Sequence, residues 1–159
     1  MDDDPLRLAR RCAEAMLSRD RASQGAGISV EDVGPGRASA RMTVLPAMTN
    51  GHDICHGGYV FLLADTAFAV ACNSYGDSTV AQACDIVFAQ PARSGDELRA
   101  DAVERLRFGR NGVYDVTVRR AGGEVVAEFR GRSRALGTRL RLPADRHPSE
   151  EQDEEPGGP

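Results

Sequence analysis

Lysine is absent from this chain, and all 20 of its basic residues are arginines. Arginine and lysine differ mainly where binding geometry matters, so we attribute the bias to a GC-rich genome rather than to function. The formal net charge of −4 argues against a nucleic-acid-binding surface, which would be basic. No segment approaches the roughly 20 apolar residues that a membrane span needs.

The cysteines form no CxxC pair and no short-spaced framework, so we expect free thiols. They are Cys12, Cys55, Cys72 and Cys84. The N-terminus, Met1-Asp2-Asp3-Asp4, is acidic, whereas a secretory signal begins with basic residues. We therefore expect a cytoplasmic protein with one domain over residues 1–140. The acidic segment 141–159 is expected to be a disordered tail.

The hydrophobic pattern predicts an α+β fold. Apolar residues at helical spacing predict an N-terminal helix over residues 5–21. Segments with a two-residue period, separated by glycine and proline, predict six strands. These cover residues 28–33, 37–45, 79–89, 97–108, 112–120 and 124–136. The last four follow one another without an intervening helix, which favours an antiparallel meander.

A second helix is predicted over residues 59–73, directly after His56-Gly57-Gly58. It is apolar on nearly every face, which is typical of a helix that is buried all round. A curved antiparallel sheet wrapped round one long central helix would bury it in this way.

Asp65 is the exception within this apolar helix. A carboxylate removed from water is costly unless it is paired, and no arginine lies within two turns of it in the sequence. Such an acid is a candidate general base or nucleophile. The alternative is that Asp65 lies on a single wet stripe of the helix or bonds a nearby backbone group.

The glycine pair that opens the helix suggests the second half of a site. Free N–H groups at a helix start bind and polarise anionic oxygens, and a thioester carbonyl that becomes tetrahedral needs such donors. Gly58 and Asp65 are about two turns, or roughly 10 Å, apart. One reacting carbonyl cannot lie close to both. A dimer with antiparallel helices would solve this, with Asp65 of one chain facing the Gly57 region of the other.

Two other chemistries remain open for the segment before the helix. His52, Asp53, Cys55 and His56 are possible metal ligands, although their spacing fits no zinc pattern. Cys55 could act as a nucleophile if a histidine lay nearby, or it could be a small buried residue.

Arginines of the later strands could bind coenzyme phosphates or could line a solvated face. They are Arg107, Arg110, Arg130, Arg132 and Arg134.

Several motifs together resemble the PaaI-like hotdog-fold thioesterases of the phenylacetate-degradation type. The similar segments cover roughly residues 6–136. They are Asn50, His56-Gly57-Gly58, Leu63 to Ala69, Asn73, Gln90-Pro91-Ala92, Gly95-Asp96, Gly112 to Val116, Phe129-Arg130-Gly131 and Ser133.

The resemblance implies an acyl-CoA thioesterase without a metal or organic cofactor. Asp65 would be the nucleophile or general base, the Gly57 N–H would polarise the carbonyl, and Asn50 and His56 would position substrate or water. The implied substrate is an arylacetyl-CoA, and the implied assembly is a dimer that pairs into a tetramer. We assign substrate binding to Gly58, Phe68, Phe108, Arg110, Asn111, Arg130 and Arg132.

One departure and two alternatives accompany this interpretation. Some relatives carry a serine or threonine where this chain has Ala83, which leaves the partners of an attacking water open. The alternative functions are a hotdog acyl-CoA hydratase or dehydratase, and a non-catalytic acyl-CoA-binding protein. The pocket-lining candidates Tyr59, Phe61, Leu62, Phe68 and Phe88 do not define the acyl group.

Overall fold

The structure, a computed structural model, describes residues 4–143. Residues 1–3 and 144–159, which include most of the predicted tail, lie outside this range. The helices are α1 (Pro5–Leu17), α2 (Arg21–Gly25) and α3 (Gly57–Asn73), and a short 3-10 turn spans Pro46–Met48. The strands are β1 (Ser29–Gly34), β2 (Arg37–Thr43), β3 (Asp77–Phe88), β4 (Glu97–Phe108), β5 (Asn111–Arg120) and β6 (Val125–Arg139).

The six strands form one antiparallel sheet in the order β1-β2-β4-β5-β6-β3. Helix α3 packs against all six of them. Neighbouring strands are about 4.8 Å apart, so a flat sheet of this width could not contact a single helix about 10 Å across. The sheet therefore curves around α3, as the sequence predicts.

The predicted four-strand meander is only partly right. Strands β4, β5 and β6 are consecutive neighbours, but β3 pairs with β6 at the sheet edge rather than with β4. The connection between β3 and β4, residues 89–96, contains Pro91 and Gly95 and is longer than a hairpin turn. It carries the chain to the other side of the meander.

The predicted N-terminal helix over residues 5–21 ends earlier than expected, at Leu17, and a second helix begins at Arg21. Helix α1 ends at Leu17, where the Ser18 hydroxyl donates to the Ala15 carbonyl at 3.0 Å. Asp20 then caps α2 by accepting the Ser23 N–H at 2.9 Å. Serine and aspartate compete with helical backbone bonds in this way, which explains the interruption that the apolar spacing does not reveal.

Helix α3 is buried on most of its circumference, but the prediction that it is buried all round is wrong for the single chain. Leu63, Ala64, Ala67, Phe68 and Ala71 have no exposed surface. The opposite stripe is partly open. It consists of Gly58, Phe61, Leu62, Asp65 and Ala69, which lie on one face of the helix, and we call it the open stripe.

The end of α3 is tied to the start of β3 by one side chain. The Asn73 amide group donates to the Thr79 carbonyl at 2.8 Å and accepts the Thr79 N–H at 2.8 Å. Gly76 has a φ of +85° in the turn between them, a conformation that favours glycine. The predicted end of the helix at Asn73 and Gly76 is therefore confirmed.

The predicted faces of the strands are confirmed where they meet α3. Ala38, Ala40, Met42 and Val44 are at most 2% exposed. Tyr114, Val116 and Val118 of β5 also point inward and are buried. Within residues 4–143, none of the helices has the length and apolar character needed to cross a membrane.

Candidate active site

Asp65 lies in the middle of the open stripe of α3 and is half-buried. Within the described part of the chain, no group forms a hydrogen bond or ion pair with its carboxyl oxygens. Burial raises the pKa of this carboxyl group, and the negative charge of Asp20 raises it further. A carboxyl group with a raised pKa is a stronger proton acceptor once ionised, as general base catalysis requires.

The N-terminus of α3 presents one open backbone donor. His56 caps the helix, and its Nδ1 accepts the Gly58 N–H at 2.9 Å. The Gly57 N–H has no acceptor among residues 4–143. Of the two glycine N–H groups expected to be free, only that of Gly57 is therefore available. Because Nδ1 is an acceptor, the neutral His56 ring carries its proton on Nε2.

The loop before α3 is held by backbone bonds. Thr49 and Cys55 form an isolated antiparallel bridge, and the Cys55 N–H donates to the Ala92 carbonyl at 2.7 Å. Asn50 lies in this loop, and its Oδ1 accepts the His52 N–H at 2.9 Å. The Asn50 side chain thus keeps its NH₂ group available as a donor.

The structure does not favour the metal and thiol alternatives for this loop. Cys55 is 6% exposed, burial raises the pKa of its thiol, and its Sγ lies 3.7 Å from the His56 carbonyl. A nucleophilic cysteine needs a lowered pKa instead. Among residues 4–143, no three His, Cys, Asp or Glu side chains cluster as metal ligands would.

A cavity of about 510 Å³ opens at the N-terminus of α3. Its walls come from the Asn50 loop, the first turn of α3, the end of β3 and the segment after it. They include Asn50, Ile54, Gly57, Val60, Phe88, Gln90, Pro91 and Ala92. The Phe88 ring covers Gly57, since a Cβ atom at position 57 would lie 2.9 Å from Phe88 Cζ. The open Gly57 N–H and Asn50 therefore belong to one cavity, which we call the Gly57 cavity.

Asp65 does not line this cavity. It follows Gly57 by eight residues on the same helix, which corresponds to about 12 Å along the axis. A single chain therefore brings Asn50, His56 and Gly57 together and leaves Asp65 apart from them.

Phe68 is a core residue, and its assignment to substrate binding is wrong for this chain. Its exposed fraction is 0%, and its ring packs against Tyr114 and Phe129 at centroid distances of 5.5 and 5.7 Å. A Cβ atom at Gly131 would lie 2.7 Å from the same ring. Phe61, on the open stripe, packs edge-on against Phe129 at 5.3 Å and remains partly accessible.

Replacing Phe68 by alanine is expected to lower the free energy of unfolding by about 3–5 kcal/mol, because a large cavity would remain in a closed core. Phe108→Ala is the matched control. Phe108 is 52% exposed, so its loss is expected to cost less than about 1 kcal/mol. Urea denaturation of both variants measures the difference. Equal losses would contradict this description of the core.

Phe108, Arg110 and Asn111 lie at the turn between β4 and β5, near the C-terminal end of α3. Arg110 and Asn111 line a small cavity of about 240 Å³, together with Cys72, Tyr75 and other residues. Arg107 lies over the Tyr75 ring, with its Cζ 3.8 Å from the ring centroid. This turn is distinct from the Gly57 cavity, so the predicted substrate-binding residues do not form one cluster within the chain.

Arg130 and Arg132 are exposed on the outer face of the sheet and are already paired. Arg130 binds Asp115 through two hydrogen bonds of 2.7 and 2.9 Å, and Arg130 and then Arg105 lower the pKa of that carboxyl group. Arg132 donates to Asp85 at 2.6 Å. A phosphate group would have to compete with these carboxylates for both guanidinium groups, and the predicted substrate contacts of Arg130 and Arg132 stay predictions.

Ala83 is exposed on β3, where the pairing with β6 shifts between Ala81 and Ala83. Strand β3 is an edge strand, and apolar side chains remain exposed along it. Val80, Val87 and Phe88 are 46%, 67% and 52% exposed. Unpaired edges of this length are positions where another strand can add.

Some residues of the site were not assigned from the sequence. Ile54, Val60 and Val126 line the Gly57 cavity but look like ordinary core residues in the sequence. Asp20, which acts on Asp65, carries one local signal that was missed. An aspartate placed three residues before a serine, after a helical segment, is typical of a helix cap.

Known proteins agree with this architecture. The sequence profile of the thioesterase superfamily matches residues 52–127. The chain is 45% identical over 125 residues to the acyl-coenzyme A thioesterase PaaI of Escherichia coli, covering 79% of this chain and 89% of that protein.

Solved structures show the same similarity. The E. coli PaaI protein from the phenylacetic acid degradation operon superposes with a TM-score of 0.85 at 41% identity, over 87% of this chain and 100% of that one. The TT0310 protein of Thermus thermophilus superposes with a TM-score of 0.71 at 35% identity, over 74% and 99% of the two chains. The chain therefore belongs to the thioesterase superfamily, as a hotdog-fold thioesterase of the PaaI-like group.

Proposed function

We propose that this protein hydrolyses acyl-CoA thioesters to a free acid and CoA, with an arylacetyl-CoA such as phenylacetyl-CoA as the substrate. The observation that carries the proposal is Asp65, a half-buried, unpaired carboxyl group with a raised pKa on an otherwise apolar helix. A group held in this costly state is typical of a catalytic acid or base. The name and operon of the E. coli relative support the same substrate class.

Asp65 would act on the thioester in one of two ways. As a general base it takes a proton from water while the water oxygen attacks the carbonyl carbon. As a nucleophile it attacks that carbon itself, and water then hydrolyses the resulting anhydride. In both cases the carbon–sulfur bond breaks, and CoA leaves as a thiolate that takes up a proton. Ala83 is exposed and has no hydroxyl group that could hold an attacking water. Both routes are therefore available.

The Gly57 cavity would bind the thioester group. The open Gly57 N–H would donate to the carbonyl oxygen and stabilise the negative charge that develops there. The Asn50 NH₂ group and the His56 Nε2–H are two further donors at this end of α3. They would position the carbonyl or the attacking water. The Gly58 N–H already binds His56, so we assign Gly58 no donor role.

We propose that the working unit is a dimer in which Asp65 of one subunit faces the Gly57 cavity of the other. Three features support this arrangement: the separation of about 12 Å between Asp65 and Gly57, the open stripe of α3, and the unpaired apolar edge of β3. The two-fold axis would create two equivalent sites. Assembly into a tetramer and a cytoplasmic location remain predictions.

Neither alternative function gains support from the geometry. A hydratase needs a histidine paired with an acid, and within one chain neither His52 nor His56 forms a hydrogen bond with Asp65. In the proposed dimer these groups would lie near Asp65 of the other subunit, so an assay with an enoyl-CoA separates the two reactions. A pure binding protein has no use for an unpaired, half-buried carboxyl group. Contacts from Phe108, Arg110 and Asn111 to the coenzyme remain predictions.

The purified protein tests the proposal with a panel of acyl-CoAs and detection of the released thiol. We expect phenylacetyl-CoA or a ring-hydroxylated analogue to give the highest kcat/KM, at about 10⁴ M⁻¹s⁻¹ or above. Acetyl-CoA and a long-chain acyl-CoA serve as comparisons. Binding of every acyl-CoA without thiol release would instead indicate a binding protein. Addition of water to an enoyl-CoA without release of CoA would indicate a hydratase.

A further inference from the structure

The turn between α1 and α2 contacts α3 next to Asp65. Asp20 accepts two bonds from Ser23, one from its N–H at 2.9 Å and one from its hydroxyl at 2.5 Å. The Ser23 Oγ lies 2.9 Å from Thr66 Oγ1. Either hydroxyl group can donate in this contact, and the Thr66 hydroxyl group also donates to the Leu62 carbonyl at 2.8 Å.

The hydroxyl groups of Ser23 and Thr66 are both buried, although Ser23 binds the charged carboxylate of Asp20. Ser23 is 2% exposed and Thr66 is 5% exposed. Buried hydroxyl groups are paired in nearly all proteins, and here the pairing leads from the residue beside Asp65 to a second carboxylate. The contact therefore fixes where the charge of Asp20 lies relative to Asp65.

Among residues 4–143, Asp20 is the one charged group that acts on the Asp65 carboxyl group. The other titratable groups that interact with Asp65 are Cys72 on α3 and Cys84 on β3. Burial raises the pKa of Cys72 to about 12 and also raises the pKa of Cys84, so both are neutral thiols where a carboxyl group titrates. On the outer face of the sheet, Arg132 is neutralised by Asp85.

We infer that Asp20 is a positioning residue for the proposed reaction, because its carboxylate is bound to Ser23, and Ser23 is bound to Thr66, the residue that follows Asp65 on α3. The inference rests on the proposed function of Asp65. A neighbouring negative charge disfavours ionisation of Asp65, so the ionised form accepts a proton more readily. Two carboxyl groups in one site divide such roles in other enzymes.

Asp20→Asn tests this inference, because asparagine also caps helices and removes the charge. Its Oδ1 can still accept the Ser23 N–H, while its NH₂ group would donate to the Ser23 hydroxyl group instead of accepting from it. The titration of the Asp65 carboxyl carbon is followed by ¹³C NMR, with the signal assigned by its loss in Asp65→Asn. We expect Asp65 to titrate at lower pH in the variant, since its ionised form is no longer repelled. The acid limb of kcat/KM against pH is expected to move in the same direction.

Three further variants make the result specific. Glu14→Gln removes an exposed carboxylate from α1 and is expected to shift neither curve. Ser23→Ala keeps the charge but breaks the tie to Thr66, and a smaller shift to lower pH is expected. Asp20→Ser, a second neutral cap, replaces the asparagine variant if that protein does not fold.

An unchanged Asp65 titration in a folded Asp20 variant would overturn the inference and leave the proposed hydrolysis intact. If the unmodified protein released no thiol from any acyl-CoA, the proposed function would fail instead. The NMR titration would still report whether Asp20 acts on Asp65, so the two failures are distinguishable.

Discussion

Asp65→Asn is expected to lower kcat for phenylacetyl-CoA by about 10²–10⁴-fold, the usual contribution of a positioned acid or base. Asparagine has nearly the same shape but cannot accept a proton from water or form an anhydride. A stopped or continuous assay of thiol release measures the loss. Glu128→Gln, which removes an exposed carboxylate on the outer face of β6, is the control and should retain full activity.

The same substitution should not destabilise the protein. Asp65 has a pKa above its unfolded value. Its ionised form therefore opposes folding at a pH above the folded-state pKa, and this cost disappears as the pH falls through that pKa. Asparagine removes that cost, so the thermal transition should stay constant or rise. A catalytic loss that came with a lower transition temperature would point to misfolding. Full activity in the variant would exclude Asp65 from the chemistry.

The second large effect is the recovery of activity when two inactive variants are mixed. Gly57→Pro removes the open N–H, and proline suits the first position of a helix. The backbone of His56, at φ −58° and ψ 132°, already has the conformation favoured before proline. In the proposed dimer, each site combines Asp65 of one subunit with Gly57 of the other. A mixed dimer of one Gly57→Pro subunit and one Asp65→Asn subunit then contains one site with both changes and one intact site.

Random reassociation of the two variants should restore about one quarter of the unmodified activity, because half of the dimers are mixed and each has one intact site of two. The measurement is thiol release after the variants are refolded together. Gly57→Ala is the control for size: its Cβ meets the same half-exposed Phe88 ring, but it keeps the N–H and should remain the more active. No recovery on mixing would contradict the shared site.

Much of the fold follows from local patterns. The inward faces of β2 and β5 follow from a two-residue period, and the limits of α3 follow from His56-Gly57-Gly58 and from Asn73. The position of β3 does not follow from such patterns. It depends on pairing between β3 and β6, whose partners, such as Asp77 and Arg139, are far apart in the sequence.

The residues of the candidate site could be predicted where their character differs from that of the surrounding segment. Asp65 stands out because its helix is otherwise apolar, and Gly57 stands out because it opens a helix. Phe68 was misassigned because nothing local distinguishes the closed face of α3 from the open stripe. The ion pairs of Arg130 and Arg132 could not be predicted, because their partners, Asp115 and Asp85, lie on neighbouring strands, and cross-strand pairing depends on register.

The Asn73 amide group has a consequence for how the molecule opens. Its two hydrogen bonds to Thr79 link the end of α3 to the start of the edge strand β3. The last turn of α3 therefore cannot fray without releasing the first residues of β3. Helix α3, which carries Asp65, and strand β3, whose Cys84 interacts with Asp65, should therefore open and close as one cooperative unit. Local breathing of the sheet edge would then change the surroundings of the carboxyl group and its accessibility to water at the same moment.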